Sequence, residues 1–365
     1  MKILRFSLQN QFEYGTITTK PHLKRGKSMY LISPHKKQYK ANLHCHSVIS
    51  DGKKTPEELK EMYKSHGYSI LSITDHETPR NHSDLNDSEF ITITGYETYV
   101  RPDPNCKFDK YSKEIHINLF ARDPENEAII CYNPKYCKYH TDEEKEKLVK
   151  IGSQRTREYT VEYINELIKT AKDNGYIAAY NHPYWSMESE ADILAYEGFF
   201  SMEIYNTSSN VLNGIEYNAA LYEKMLLNGN RIFCHSADDN HNGAPEGSPS
   251  FDSFGGFAMI MPDEFSYNSI FTAMESGEMY SSSGPLFNEV SMEGNKIHIE
   301  CSDVTKIYVF TGSKAPKRLY APIGETINSA DFEIDDQAKF VRVSIVDKDG
   351  KHADTRGFFR DELEF

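Results

Sequence analysis

Residues 40–76, KANLHCHSVISDGKKTPEELKEMYKSHGYSILSITDH, constrain this chain more than any other stretch. They open as a short strand pattern in which His44 and His46 stand two apart. A strand repeats every two residues, so both imidazoles share one face while Leu43 and Cys45 take the other. A polar loop with Asp51 and Gly52 follows, and then a helix. Thr55 fits the N-cap, Pro56 the first helical position, and Glu58 stands three residues after the threonine, as a capping box requires. Gly67 closes that helix. A second apolar run, 69–74, then delivers Asp75 and His76. One strand–helix–strand unit thus carries ionisable residues at both strand ends, where parallel α/β folds keep their chemistry.

The alternation continues along the chain. Strand patterns fall at 41–46, 69–74, 90–94, 115–120, 176–181, 200–205, 231–235 and 256–261, and helix patterns at 56–66, 161–174, 215–228 and 266–276. Gly67, Gly175, Gly229 and Gly277 stand where the helices should stop. This predicts an α/β fold around a parallel sheet, open or closed into a barrel. Residues 102–157 break the rhythm with proline, tyrosine and the charge run TDEEKEKLVK, as a lid or substrate loop would. After Gly284-Pro285 the segments 286–291, 296–301, 305–311 and 338–346 alternate without helices between them, and Asp349-Gly350 signals a hairpin turn. The expected plan is an N-terminal β-hairpin extension over 1–39, an α/β unit over 40–284, and a small β-sandwich domain over 285–365. The basic clusters at 22–27 and 35–37 read as solvated surface.

Charge narrows the partners. The 365 residues carry a net charge of −14, which disfavours long nucleic acid, since counterion release needs a basic surface. A small phosphorylated substrate held by metals remains compatible with it. Six cysteines without framework spacing, one of them Cys45 in the site strand, indicate reduced thiols and a cytoplasmic location. The opening MKILRFSLQNQFEYG lacks the apolar core of a signal peptide, and no run reaches the length of a membrane span, so no membrane partner is expected.

Ligand-type residues gather at the predicted strand ends: His44, His46, Asp51, His76, Glu97, His116, His182, Asp239 and His241. Imidazole and carboxylate together suit Zn, Mn or Fe without any thiolate. One ion rarely takes more than four or five protein ligands, so nine candidates imply two to three divalent metal ions, with a shared carboxylate as in two-metal hydrolases. Glu97 is expected to be that bridge, because a carboxylate has two oxygens and a neutral imidazole offers one lone pair. Asp238 and Asp239 compete for one role, and Asp239 is favoured because it stands two before His241. Asp75 is expected to orient His76 or another ligand. His235 remains open between a ligand and a neighbour's partner, and the other histidines read as structural.

The ordered set HCHSVISDG, TDH, GYE, NHP and DDNH, over residues 40–285, resembles the polymerase-and-histidinol-phosphatase (PHP) superfamily of metal-dependent phosphoesterases. The resemblance implies a distorted (β/α)7 TIM-like barrel with a three-metal site whose ligands are the nine residues just named. It also implies a small C-terminal β-sandwich, as in some bacterial stand-alone members. Asp51, Glu97 and His241 are expected to act in the reaction itself.

The function expected is hydrolysis of a phosphate ester (a phosphomonoester, a nucleotide or a short oligonucleotide end) by metal-activated hydroxide. Arg155 and Arg157 are candidates to grip phosphate through bidentate hydrogen bonds, against the alternative of a solvated pair at a helix start. A metal-dependent amidohydrolase-type hydrolase is the second reading, favoured by an apolar pocket without cations. A non-catalytic metal-binding module is the third.

Overall fold

The computed structural model describes residues 29–103, 105 and 107–363, so the hairpin expected around Ile17 and the basic cluster at 22–27 lie outside the described residues. Helix Pro56–Ser65 forms as its cap residues dictate. The Thr55 hydroxyl accepts from the Glu58 N–H at 3.2 Å, and the Glu58 carboxylate accepts from the Thr55 N–H at 2.9 Å. The helix buries Leu59 and Tyr63 and returns the chain to strand Ile70–Leu71, which lies parallel to Tyr39–Asn42 with Ala41 opposite Ile70. The strand–helix–strand unit expected at the centre of the chain is therefore present, with shorter strands than the sequence pattern indicates.

Two sheets carry the site. The larger has ten strands: nine run from Lys317–Tyr320 through Lys306–Phe310, Phe340–Val346, His352–Thr355, Met279–Ser282, Phe257–Ile260, Tyr39–Asn42 and Ile70–Leu71 to Ile91–Thr92, and Phe358–Phe359 pairs beside this path with Phe340–Val346. The other has five, in the order Phe233–Ala237, Ser201–Asn206, Tyr176–Tyr180, Ile115–Ala121 and Gly95–Val100. Single bridges, Cys45 to Asn240 and His76 to Glu97, link them. The fold is mixed α/β, but the ladder does not run on as a closed (β/α)7 barrel. One reason is local. No helix occupies the described part of 101–114, and a parallel return needs a crossover of a dozen or more residues, usually helical. Strand Ile115–Ala121 accordingly pairs antiparallel with both neighbours.

The amphipathic helix Val161–Asp173 packs Tyr163, Ile164, Leu167, Ile168 and Ala171 into a core shared with the five-stranded sheet. The helix expected over 215–228 forms as Ala219–Asn228, and a further helix that the sequence pattern did not indicate, Thr207–Asn213, precedes it and stops where Gly214 adopts φ +74°. The 102–157 segment is not purely a loop: it supplies Ile115–Ala121, the helix Asp142–Lys147, and strand Ile129–Ile130 paired with Lys150–Ile151.

The C-terminal strands form two layers. Phe287–Glu293, Lys296–Val304 and Ile327–Glu333 join Met29–Ile32 in a four-stranded sheet, and the rest extend the ten-stranded one. Val346 opposite His352 places the expected turn at Asp349-Gly350. The boundary expected at 284–285 falls between strands Met279–Ser282 and Phe287–Glu293, but the ladder crosses it, with Tyr280 opposite Thr355. Val290, Ile299, Val309 and Val343 share one apolar cluster with Leu59 and Tyr63 of the preceding unit. Among the described residues no helix is long and apolar enough to cross a membrane.

Candidate metal centre

Backbone hydrogen bonds across the gap between the sheets assemble the centre. The Asp239 N–H donates to the His44 carbonyl at 2.9 Å, and the His46 N–H donates to the Asn240 carbonyl at 3.1 Å. The loop after His46 folds tightly around Asp75, whose carboxylate accepts from the Ser47 N–H at 2.8 Å and the Ser50 N–H at 3.1 Å. Asp75 thus positions the loop that carries Asp51 rather than orienting His76. Gly52 permits this turn, because a Cβ there would stand 2.3 Å from the His46 carbonyl oxygen. His182 and Asp239 hold φ of +26° and +53°, left-handed conformations that non-glycine residues keep only where the surroundings enforce them.

All nine predicted residues come together. Three sets have ligand atoms within 4.8 Å of one another and could hold an ion: His46, Asp51, His76 and His241; His44, His46 and Asp239; His76, Glu97 and His116. His182 stands beside them, with Nε2 3.5 Å from Glu97 Oε1 and 3.8 Å from Asp239 Oδ2. Glu97 occupies the middle and its two oxygens face different partners. Oε1 lies 3.2 Å from His44 Nε2 and 2.9 Å from His116 Nδ1, while Oε2 lies 3.0 Å from His76 Nδ1 and 3.5 Å from His46 Nε2. Asp51 Oδ1 is 3.6 Å from His241 Nε2, and its Oδ2 is 3.6 Å from His76 Nε2.

Burial and charge oppose each other throughout. Burial alone would raise the Glu97 carboxyl, but His116, His44 and His76 hold it well below the usual carboxylate range. Asp239 is likewise lowered, by His44, His46 and His182 against burial. Burial works against charging His116, yet Glu97 and Glu114 push it up to about 10. His44 rises in the same way, through Asp239, Glu97 and Glu203.

The donor set fits divalent metal. His44 Nε2 and His46 Nε2 face each other at 3.2 Å, both about 3 Å from Asp239 Oδ1. His44 Nδ1 lies 2.7 Å from the Glu203 carboxylate, which fixes the tautomer and leaves Nε2 as a lone pair aimed inward. His241 Nδ1 donates to the Asp239 carbonyl at 2.9 Å and likewise frees its Nε2. His76 Nδ1 is buried without a hydrogen-bond partner although Glu97 is near, as an atom turned toward an ion would be. Cys45 is buried on the opposite face, and burial pushes its thiol up, so thiolate plays no part.

Several residues absent from the sequence reading support these ligands. Glu203 holds His44 and also accepts from the His182 N–H at 2.8 Å. Glu114 accepts from His116 Nε2 at 2.6 Å and pairs with Arg101. Asn181 donates to Glu97 Oε1 at 2.7 Å, and the Tyr139 hydroxyl donates to Asp51 Oδ2 at 3.1 Å. Two of these had a signal in the sequence: Glu114 stands two before His116, on the same strand face, and Glu203 is a lone carboxylate in the apolar strand SMEIYN. The two predicted phosphate-gripping arginines do not reach the centre. Arg155 is exposed and pairs with Glu158 and Glu166. Arg157 is buried, and its guanidinium is consumed by the Glu77 carboxylate and the carbonyls of Tyr99 and Cys131. His235 bonds Ser201 at 2.7 Å, which settles it as a neighbour's partner.

No family model matches the chain, and no curated protein matches it. Solved structures do. A two-domain protein from Bacteroides vulgatus, described as containing a predicted PHP-like metal-dependent phosphoesterase, is 13% identical, covers 89% of this chain and 95% of its own, and has a TM-score of 0.42. A protein named provisionally as a metal-dependent phosphoesterase, from Bifidobacterium adolescentis, is 17% identical over 58% of this chain and 92% of its own, with a TM-score of 0.36. An amidohydrolase from Chromobacterium violaceum, with bound sulfate and no metal, is 15% identical over 66% of this chain and 96% of its own, with a TM-score of 0.39. Likenesses this distant carry no argument about chemistry, which rests here on the residues.

Proposed function

We propose that the chain is a PHP-type metal-dependent hydrolase acting on a small phosphate ester, with His44, His46, Asp51, His76, Glu97, His116, His182, Asp239 and His241 as ligands of two to three ions. One observation carries this reading: a buried glutamate, Glu97, turns its two oxygens toward two different pairs of imidazoles. Divalent ions bound here would supply hydroxide at neutral pH and positive charge for the phosphoryl oxygens. The chain's own contribution is geometric. Glu203 and Glu114 hold the His44 and His116 rings in their tautomers. Asp51 and His241, the least buried of the set, line its open side, and Tyr139 keeps Asp51 oriented. Zn, Mn and Fe all suit the nitrogen and oxygen donors.

The second reading, hydrolysis of an amide or similar bond, has one observation in its favour: neither Arg155 nor Arg157 converges on the centre. Elemental analysis and assay separate the readings. Two to three ions per chain, with hydrolysis of phosphomonoesters dependent on added Mn or Zn, are expected. Less than one ion, with no activation by either metal, overturns the site. Full metal content with turnover of N-acyl substrates and none of phosphate esters establishes the second reading.

A further inference from the structure

A cavity of about 740 Å³ lies against one side of the centre. Its inner wall includes Glu114 and Trp185. Glu114 bonds His116, and the Trp185 ring lies 5.0 Å from the His116 ring and 4.9 Å from that of His182. One side chain therefore separates the cavity from two of the proposed ligands. The outer lining is apolar where surfaces are normally polar: Phe108, Tyr184 and Met187 are 63%, 49% and 56% exposed. Isolated exposed apolar residues mean little, but three around one concave mouth mark a ligand surface.

The charges of the lining are mostly occupied. Glu114 is held by Arg101 and His116, and Glu190 by Lys224. Glu188 accepts the hydroxyls of Tyr159, Tyr180 and Tyr196. Lys110 is the one cation of the described lining, and its ammonium lies over the Tyr111 ring at 5.0 Å. A second phosphate or a carboxylate would therefore find no cation in the described lining but Lys110. The wall is also rigid: the Tyr184 and Trp185 N–H groups donate to the buried Glu216 at 3.0 and 3.2 Å, which sets the tryptophan in place before any ligand arrives.

We propose that this cavity receives the alcohol part of the substrate, and that this part is a flat aromatic or apolar group without a second negative charge. The phosphate end of that substrate rests on the function proposed above; the cavity's preference does not. The inference sets aside polyphosphates and oligonucleotide ends, each of which would place further phosphate in a described lining whose only cation is Lys110.

Trp185 is the only tryptophan in the chain, so its fluorescence reports on the cavity without any turnover. With the metal-loaded protein, 2-phenylethanol should change that signal saturably, ethanol should not, and 2-(4-carboxyphenyl)ethanol should bind at least ~10-fold more weakly, because its carboxylate loses water without gaining a partner cation. Phe108→Asp, at an exposed position, should weaken 2-phenylethanol at least ~5-fold by removing apolar contact, and Leu221→Phe should do so by taking up space in the lining. In the Mn-dependent assay, 2-phenylethyl phosphate should exceed ethyl phosphate in kcat/KM at least ~10-fold, and Leu221→Phe should narrow that ratio. No fluorescence response, a response that both variants leave intact, or equal kcat/KM for the two esters overturns the proposal. A cavity that responds in a protein hydrolysing neither ester overturns the phosphoesterase reading and leaves the cavity assignment standing.

Discussion

Two buried charged clusters in this molecule are built on opposite principles. Around Arg342 the chain supplies its own cation. The guanidinium donates to Asp354 at 2.8 Å and to Glu223 at 3.2 Å, Tyr217 adds a hydroxyl to Asp354, and Phe310 covers the face at 4.2 Å. Around Glu97 the chain supplies carboxylates and imidazoles, and the ion pairs of Asp51, Glu97 and Asp239 are all with histidines. Leaving a charge buried and uncompensated is costly, so structural clusters carry their partner permanently. The centre carries groups that balance either by taking up protons or by binding cations. That asymmetry separates a structural ion pair from a metal site, and it can be broken experimentally from either side.

The largest effect is expected at the centre. Glu97→Gln keeps size and one acceptor oxygen but loses the charge shared between two sets of imidazoles. The variant should stay folded, lose about one metal per chain and drop in rate by at least ~100-fold, the scale of removing one preorganised electrostatic group. Elemental analysis with the assay checks this. Intact metal content and turnover alongside a lower melting temperature would make Glu97 structural and erase the contrast with Arg342.

Arg342→Met tests the other cluster. It leaves Asp354 buried with Tyr217 as its remaining partner, and should cost about 3–5 kcal/mol by denaturant unfolding, as breaking a buried pair does. Metal content should not change, because Arg342 contacts none of the nine ligands. A variant that loses metal as well would show that the tail and the centre are coupled through strand His352–Thr355.

The gathering of the nine candidate residues was legible in the sequence because most of them stand just beyond strands, spaced by two or next to a proline or glycine, while Glu97 and His116 lie within strands. His44 and His46 share a face for the same reason that a strand alternates. The open ladder was not legible: it depends on which strands meet at Cys45–Asn240 and His76–Glu97, contacts between segments whose register no local pattern fixes. Nor was the fate of Arg157. Its partner Glu77 lies 80 residues away, and only the fold places the two side by side. The tail read correctly as strands, but a boundary inferred from a change of pattern could not reveal that Tyr280 and Thr355 pair across it.

A pH experiment sharpens the comparison at a third buried group. Burial lowers His235 to about 4, so the folded protein keeps it neutral where the unfolded chain, with an ordinary histidine, would bind a proton. Between about pH 6.5 and pH 4 the unfolded state therefore holds more protons, and stability rises with pH there. His235 contributes fully above that window and loses its contribution as the pH falls through it. His235→Asn should flatten the slope of unfolding free energy against pH by up to one proton across the window. An unchanged slope would mean that the acid sensitivity of the fold lies elsewhere, in the ligand imidazoles or the carboxylates.

The smallest effect is expected at Arg155, and its smallness is informative. From sequence this residue was a candidate to grip phosphate; in the structure it bonds Glu158 and Glu166 on the surface, with its side chain 43% exposed. Exposed pairs of this kind contribute little, because water screens them and both side chains give up rotamer freedom. Arg155→Ala should therefore leave the rate within about twofold of the parent and its melting temperature nearly unchanged, as truncating a solvated ion pair does. The decisive quantity is KM for a phosphomonoester compared with kcat. A rise in KM of tenfold or more at unchanged stability would mean that Arg155 leaves its two glutamates to meet the substrate. The centre would then recruit a mobile cation from outside itself, and the rule that sets it apart from the Arg342 cluster would fail at the moment of catalysis.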